Sequence, residues 1–299
     1  MRMLKNLLLL HCLFMVAGFE SESLAQISKQ FVVEEREGFD LVEFDFSCYK
    51  GVSSFKRGYY GKPVFATAEL GKVNILPSFT HEVTDGVLIA KLEHKNIESE
   101  SLGRSLSYRF FSNTDSDFDH LWNIGLDPNF LYNLNLNFGI GKAHIDFSNL
   151  PVSNCRIKTA SADVFLGYAS QVPNSIAMDT LSVIINMGAL YGEDMHLSNA
   201  KQMIFDVNYG SVNLNFADLM AQRSEVFAKV GAGSVNISLP DRDLPYLVKI
   251  KSTAMCRTKV PSHLKEIGEK TYVSRGYKQD AKNLMTFLID VSVGSVSLK

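Results

Sequence analysis

A short pattern headed by glycine recurs down the C-terminal half of the chain. It reads Gly210-Ser211-Val212-Asn213-Leu214-Asn215-Phe216, then Gly233-Ser234-Val235-Asn236-Ile237-Ser238-Leu239, then Gly294-Ser295-Val296-Ser297-Leu298. An earlier copy is Gly141-Lys142-Ala143-His144-Ile145-Asp146-Phe147, and looser copies lie near Ala162 and Gly188. The steps from 141 to 162, 188, 210 and 233 are 21, 26, 22 and 23 residues. A period in the low twenties with one strand motif per period means stacked supersecondary units.

The apolar phase changes at each glycine. Leu134, Leu136 and Phe138 precede Gly141 on even numbers, and Ala143, Ile145 and Phe147 follow on odd ones. Phe205, Val207 and Tyr209 give way in the same manner to Val212, Leu214 and Phe216. A strand cannot change face without an extra residue, and glycine is the residue that tolerates the corner. Each unit therefore reads as strand, corner, strand, with both flanks facing one interior. The predicted corners are Gly141, Gly188, Gly210, Gly231, Gly233 and Gly294. The predicted fold class is all-β, a β-solenoid of 21–26-residue units. A run of hairpins in a β-sandwich competes with it, but the fixed period and shared phase favour the solenoid.

Before the repeat, Arg2 and Lys5 precede the apolar run Leu7–Ala17, and Ser23-Leu24-Ala25 follows. This reads as a signal peptide over 1–25, too short to span a bilayer. The expected location is extracytoplasmic, in the periplasm or at the cell surface, with no membrane-spanning segment after cleavage. Residues 26–39 read as a lead-in. Residues 40–130 read as an N-terminal β region belonging to the same stack, with a turn at Lys50-Gly51 and an early copy of the pattern at Gly71–Ile75. Residues 131–299 hold the repeat region, broken by a polar, solvated excursion over 261–282. Because the last repeat strand runs to Lys299, residues 26–60, residues 261–282 or another molecule must cover the ends, so self-association is one expectation.

Trp122-Asn123-Ile124-Gly125-Leu126-Asp127-Pro128 and Gly139-Ile140-Gly141-Lys142-Ala143-His144-Ile145-Asp146-Phe147-Ser148-Asn149-Leu150 resemble the toast-rack domains of LiaF-like envelope-stress proteins and the related adhesin family. Ala160-Ser161-Ala162 departs from the Gly-Ala-Gly of that pattern, which Gly231-Ala232-Gly233 restores. The resemblance implies a single-stranded, right-handed β-helix-like stack with no catalytic residues. It also implies a role in envelope sensing or surface interaction.

The residues exclude several chemistries. A net charge of −2 carries no nucleic-acid footprint. Asp115, Asp117 and Asp119 have calcium-loop spacing, but His120 and Leu126 stand where glycine and glutamate are required. No histidines have metal-ligand spacing, and no nucleophile elbow, phosphate loop or dinucleotide fingerprint is present. No cofactor or metal is expected. Cys48, Cys155 and Cys256 read as buried free thiols, with a single bridge as the alternative. Tyr59-Tyr60 and Phe110-Phe111 are contact or packing residues.

The outward positions after the corners are Asn213, Asn215, Asn236, Ser238 and Ser297. They form hydrogen bonds but carry no charge, and they are the candidate binding surface. The expected function is non-enzymatic: interaction with an envelope protein or glycan, in an envelope-stress setting. The alternative is a surface adhesin or carbohydrate-binding module. A polysaccharide-active enzyme ranks last because no paired carboxylates converge.

Overall fold

A computed structural model describes residues 27–34, 37–58, 61–71, 76–95 and 120–299. The signal segment, Tyr59-Tyr60, residues 72–75, Phe110-Phe111 and the acidic run 115–119 lie outside the described residues.

The body is a stack of long parallel strands: β2 (Leu41–Arg57), β7 (Leu131–Asp146), β8 (Val152–Gly167), β9 (Met178–Gly192), β10 (Ala200–Asn215), β11 (Ser224–Ser238) and β16 (Met285–Leu298). Each bends once, giving a first arm before the corner and a second arm after it. Both arms turn apolar side chains to one interior. In β10, Met203, Phe205 and Val207 are buried before the corner, and Val212 and Leu214 after it. The neighbouring strands repeat this phase, so like positions form columns. Gly51 pairs with Gly141, Gly141 with Ala162, Gly188 with Gly210, Gly210 with Gly233, and Gly233 with Gly294. The architecture is an all-β solenoid, and its hydrogen-bonded strands form one sixteen-stranded sheet among the described residues.

Glycine is required at the corner for two reasons. The backbone there has a φ of 118° at Gly51, 143° at Gly210 and 145° at Gly233, a region that L side chains avoid. The space is also filled by the preceding rung. A Cβ on Gly210 would stand 1.7 Å from the carbonyl oxygen of Gly188, and one on Gly233 the same distance from that of Gly210. Gly231 was predicted as a corner but is not among the positive-φ glycines, and the turn is made by Gly233. Gly231 instead lies against Asn208, whose carbonyl oxygen would be 2.7 Å from an added Cβ.

Ala162 is the exception that shows what the glycine does. It lacks the positive φ, and backbone pairing of β8 with β9 lapses between Thr159 and Val164. The Asp163 carboxylate takes over, with Oδ1 accepting the Ala189 N–H at 2.9 Å. A side-chain oxygen thus satisfies a donor that the strand ladder leaves open.

Both ends differ from the sequence reading. The Lys50-Gly51 turn is a corner inside β2, and the copy of the pattern in this half lies at Gly51. Chain order and stacking order also part company. At one end β5 (Val87–His94) pairs with the first arm of β2, and β6 (Leu121–Leu126) with its second arm. Antiparallel strands β4 (Ser78–Thr84), β3 (Val64–Leu70) and β1 (Ile27–Val32) cover that coil. At the other end β12 (Tyr246–Ser252) and β13 (Cys256–Lys259) form a coil beyond β16. The 261–282 excursion, read as a solvated loop, holds β14 (Lys265–Gly268) and β15 (Thr271–Val273), which pair back antiparallel onto β12. The chain itself thus supplies strands that cover both ends of the stack.

Cys48, Cys155 and Cys256 are all free; the first two are buried and the third half-buried. Burial pushes the Cys48 thiol up to about 12 and raises that of Cys155 as well, which keeps both protonated and inert.

Two substitutions test the corner. Gly210→Ala should lose about 3 kcal/mol or more in denaturant unfolding, because both φ and space are denied. Gly268→Ala, whose nearest neighbour is 3.9 Å from an added Cβ, should stay within about 0.5 kcal/mol of the parent. Asp163→Ala should cost about 1–3 kcal/mol in the same assay by leaving the Ala189 donor unpaired.

Candidate functional site

The outer face of the second arm is organised by the same columns. Counting from each corner, the third position is Ser54 in β2, His144 in β7, Phe165 in β8 and Tyr191 in β9. It continues as Asn213 in β10, Asn236 in β11 and Ser297 in β16. In-register parallel pairing stacks such residues at the strand spacing.

Three of these residues form a ring stack. His144 and Phe165 are 4.7 Å apart at 8° between planes, and Phe165 and Tyr191 are 4.9 Å apart at 8°. The rings therefore face each other along the stack axis, and their edges point outward. Only the outer faces of the end rings remain free for a ligand. Tyr191 is 40% exposed, and the ring side away from Phe165 borders Asn213, its in-register neighbour in β10. An asparagine side chain is shorter than a tyrosine, so the face drops by a step from Tyr191 to the asparagine rungs.

Below that step runs an amide–hydroxyl ladder. Asn213 Nδ2 donates to Ser211 Oγ at 3.0 Å and to the Leu190 carbonyl at 3.2 Å. Asn236 Nδ2 donates to Asn213 Oδ1 at 2.9 Å and to Ser234 Oγ at 3.4 Å. The serine oxygens accept, which leaves their O–H protons for an outside acceptor. Asn236 Oδ1 remains for an outside donor. Asn215 and Ser238 pair in the adjacent outward column, with Asn215 Nδ2 donating to Glu193 Oε2 at 3.1 Å. The five residues singled out from the sequence thus lie on one face. Ser211 and Ser234 serve as partners of the asparagines.

A shallow depression of about 510 Å³ adjoins the ring edges. Gly167 lines it, between Asp146 and Glu193 in the fifth-position column, with the Glu193 carbonyl oxygen 3.3 Å from where a Cβ would stand. The surrounding carboxylates already accept hydrogen bonds. Asp146 Oδ1 holds Ser148 Oγ at 2.6 Å and the Ala169 N–H at 3.2 Å, and Asp194 Oδ2 holds Gln171 at 2.6 Å. Among the described residues no group of His, Cys, Asp and Glu is arranged to hold a metal ion. Partial burial and, after it, the positive charge of Lys142 lower the pKa of His144, so the stack contains a neutral imidazole near neutral pH.

A second cluster is invisible to sequence spacing. His94 and His120 come together with ring centroids 5.5 Å apart, both buried, because β5 and β6 complete one coil. The Gly71 N–H donates to His120 Nδ1 at 3.2 Å, so Nε2 carries the proton and donates to Tyr49 Oη at 2.9 Å. Along the corner line, Tyr209, Val293 and Met255 are 59%, 42% and 69% exposed and border the second-arm face; Tyr209, expected inward from the alternation, turns outward because it stands at the corner itself.

The aromatic stack is hidden in the sequence because its residues sit outside the Gly-Ser-Val copies of the repeat. Reading the third position through the looser copies at Ala162 and Gly188 yields Phe165 and Tyr191. No helix among the described residues is long and apolar enough to cross a membrane.

No protein-family model matches the chain, and no curated protein matches it in sequence. Solved structures similar in shape at low identity include the following. A candidate cell adhesion protein from Clostridium sporogenes has a TM-score of 0.47 and 14% identity, covering 92% of this chain and 99% of its own. A candidate adhesin from Bacteroides fragilis has 0.38 and 13%, covering 93% and 98%. A candidate adhesin from Parabacteroides merdae has 0.33 and 12%, covering 92% and 96%.

The His144 environment gives a direct check. Its imidazole should titrate below 6.5 by NMR, and Lys142→Met should move the midpoint upward. The folded pKa lies below the unfolded value, so this histidine's contribution to stability is present above about 6.5 and fades as pH falls through the folded pKa.

Proposed function

We propose that the chain is a non-enzymatic, extracytoplasmic carbohydrate-binding protein of adhesin type, and that the sugar docks on the second-arm face. The step at Tyr191 carries this reading. A partly exposed aromatic ring that projects beyond the shorter Asn213 there meets a ladder of serine O–H donors and an asparagine carbonyl acceptor. A pyranose presents the same two characters, an apolar C–H face and a rim of hydroxyls that both donate and accept. The ligand ring would take the next place in the stack, against Tyr191 and over Asn213. Catalysis lacks support, because the nearby carboxylates are engaged by their own donors rather than aimed across a cleft.

A second reading is the docking of another envelope component, in the stress-linked setting that the toast-rack resemblance implies. The corner ridge of Tyr209, Val293 and Met255 favours it, since exposed apolar groups mark protein contact sites.

A glycan array separates the two. Binding of the parent should fall about tenfold or more in Tyr191→Ala, a change of about 1.4 kcal/mol. Tyr209→Ala should leave it unchanged. An array with no binding, or equal loss in both variants, would reject the carbohydrate reading.

A further inference from the structure

We propose that the ligand is an anionic oligosaccharide, with an uncharged ring against Tyr191 and an acidic group held by Arg257 and Lys259. This deepens the carbohydrate reading above and rests on it.

The placement follows from the end coil. Strand β13 pairs in parallel with the second arm of β16, setting Arg257 opposite Ser295 and Lys259 opposite Ser297. Paired residues of parallel strands share a face, so both cations stand on the face that carries Asn213 and Asn236. Lys259 is the next member of the third-position column after Ser297, and Arg257 the next member of the first-position column after Ser295. The sequence alone does not show this, because β13 precedes β16 in the chain and follows it in the stack.

Three features make this rung more than a solvated end. Both side chains are exposed, and neither has an ion-pair or hydrogen-bond partner among the described residues. On the first-arm face Lys201, Lys229 and Lys251 are matched to Asp179, Asp206 and Asp290, while Arg156, Lys158 and Lys249 there are exposed but lie on a face without the aromatic stack and the amide–hydroxyl ladder. The intervening rungs carry no acid: Ser211 and Asn213, Ser234 and Asn236, and Ser295 and Ser297 supply only hydroxyls and amides. Arg257 and Lys259 are two residues apart on one strand, about 7 Å between Cα atoms, so a flexible ammonium and a forked guanidinium can converge on one anionic group.

The track also has a length. From Tyr191 through Asn213, Asn236 and Ser297 to Lys259 there are four strand steps, about 19 Å in all. That exceeds one sugar ring, so a monosaccharide cannot use both ends. The acidic group is a carboxylate, sulfate or phosphate carried by the glycan.

The test uses an array and calorimetry with matched pairs: acidic oligosaccharides, and the same chains with their acidic groups esterified or removed. The parent should bind the acidic member about tenfold or more tighter, with the gap narrowing as salt rises. The double variant Arg257→Gln/Lys259→Gln should bind both members alike, at the level of the neutral chain, with unchanged thermal unfolding. Tyr191→Ala should weaken both members. Equal binding of the pair by the parent, or a gap that survives the double variant, would overturn the anionic assignment and leave the carbohydrate reading standing. A parent that binds no member of any pair would overturn both.

Discussion

The fold depends on one contact repeated along the stack: the carbonyl oxygen of a corner glycine sits where the next glycine would carry its Cβ. Gly188, Gly210, Gly233 and Gly294 follow one another in this way. The contact turns each strand through its corner with both arms facing inward. It also fixes the register between rungs. A one-residue slip would put a side chain into a carbonyl, besides exchanging the buried and exposed sets. Ala162 departs from the rule, and the Asp163 carboxylate takes the place of the missing ladder contact.

A fixed register has a consequence for the surface. Outward residues at equal distance from the corner become neighbours at the strand spacing, although they are some twenty residues apart in the chain. That is how His144, Phe165 and Tyr191 come to stack, and how Asn213 comes to bond Asn236. The core of each rung is apolar and interchangeable, whereas the outer columns differ from rung to rung. One face passes from aromatic rungs through uncharged amide and hydroxyl rungs to a cationic rung. On the opposite arm's face Lys201, Lys229 and Lys251 are paired with Asp179, Asp206 and Asp290. The scaffold is regular, and what varies from rung to rung is the order of its outer side chains.

The stack was legible from residue 131 onward, because there the glycine phase and the apolar alternation agree within each copy. It was less legible in the first half. The rung at Gly51 has Tyr49-Lys50 before the corner and Ser53 in an inward position, so the phase change that marks other corners is blurred, and it resembled a turn. Gly231 reads as a corner because it shares a Gly-Ala-Gly motif with Gly233, and sequence does not distinguish which of two glycines bears the positive φ. The order of the ends could not be read either. Strands β12 and β13 lie outside β16, and β5 and β6 outside β2, through pairings between segments distant in sequence. The candidate face was half legible. Asn213, Asn215, Asn236, Ser238 and Ser297 share the Gly-headed motif, whereas the aromatic rungs sit in its looser copies and Arg257 and Lys259 in no copy at all.

The central claim is that ligand lies along one column of the second arm. NMR mapping of an isotope-labelled chain, titrated with its strongest array glycan, tests it most directly. The account predicts shifts that run contiguously through Tyr191, Asn213, Asn236 and Ser297, with the first-arm face silent. Shifts centred on Asn135 and Arg156 of the first-arm face, or on Tyr209 and Met255 of the corner ridge, would contradict it.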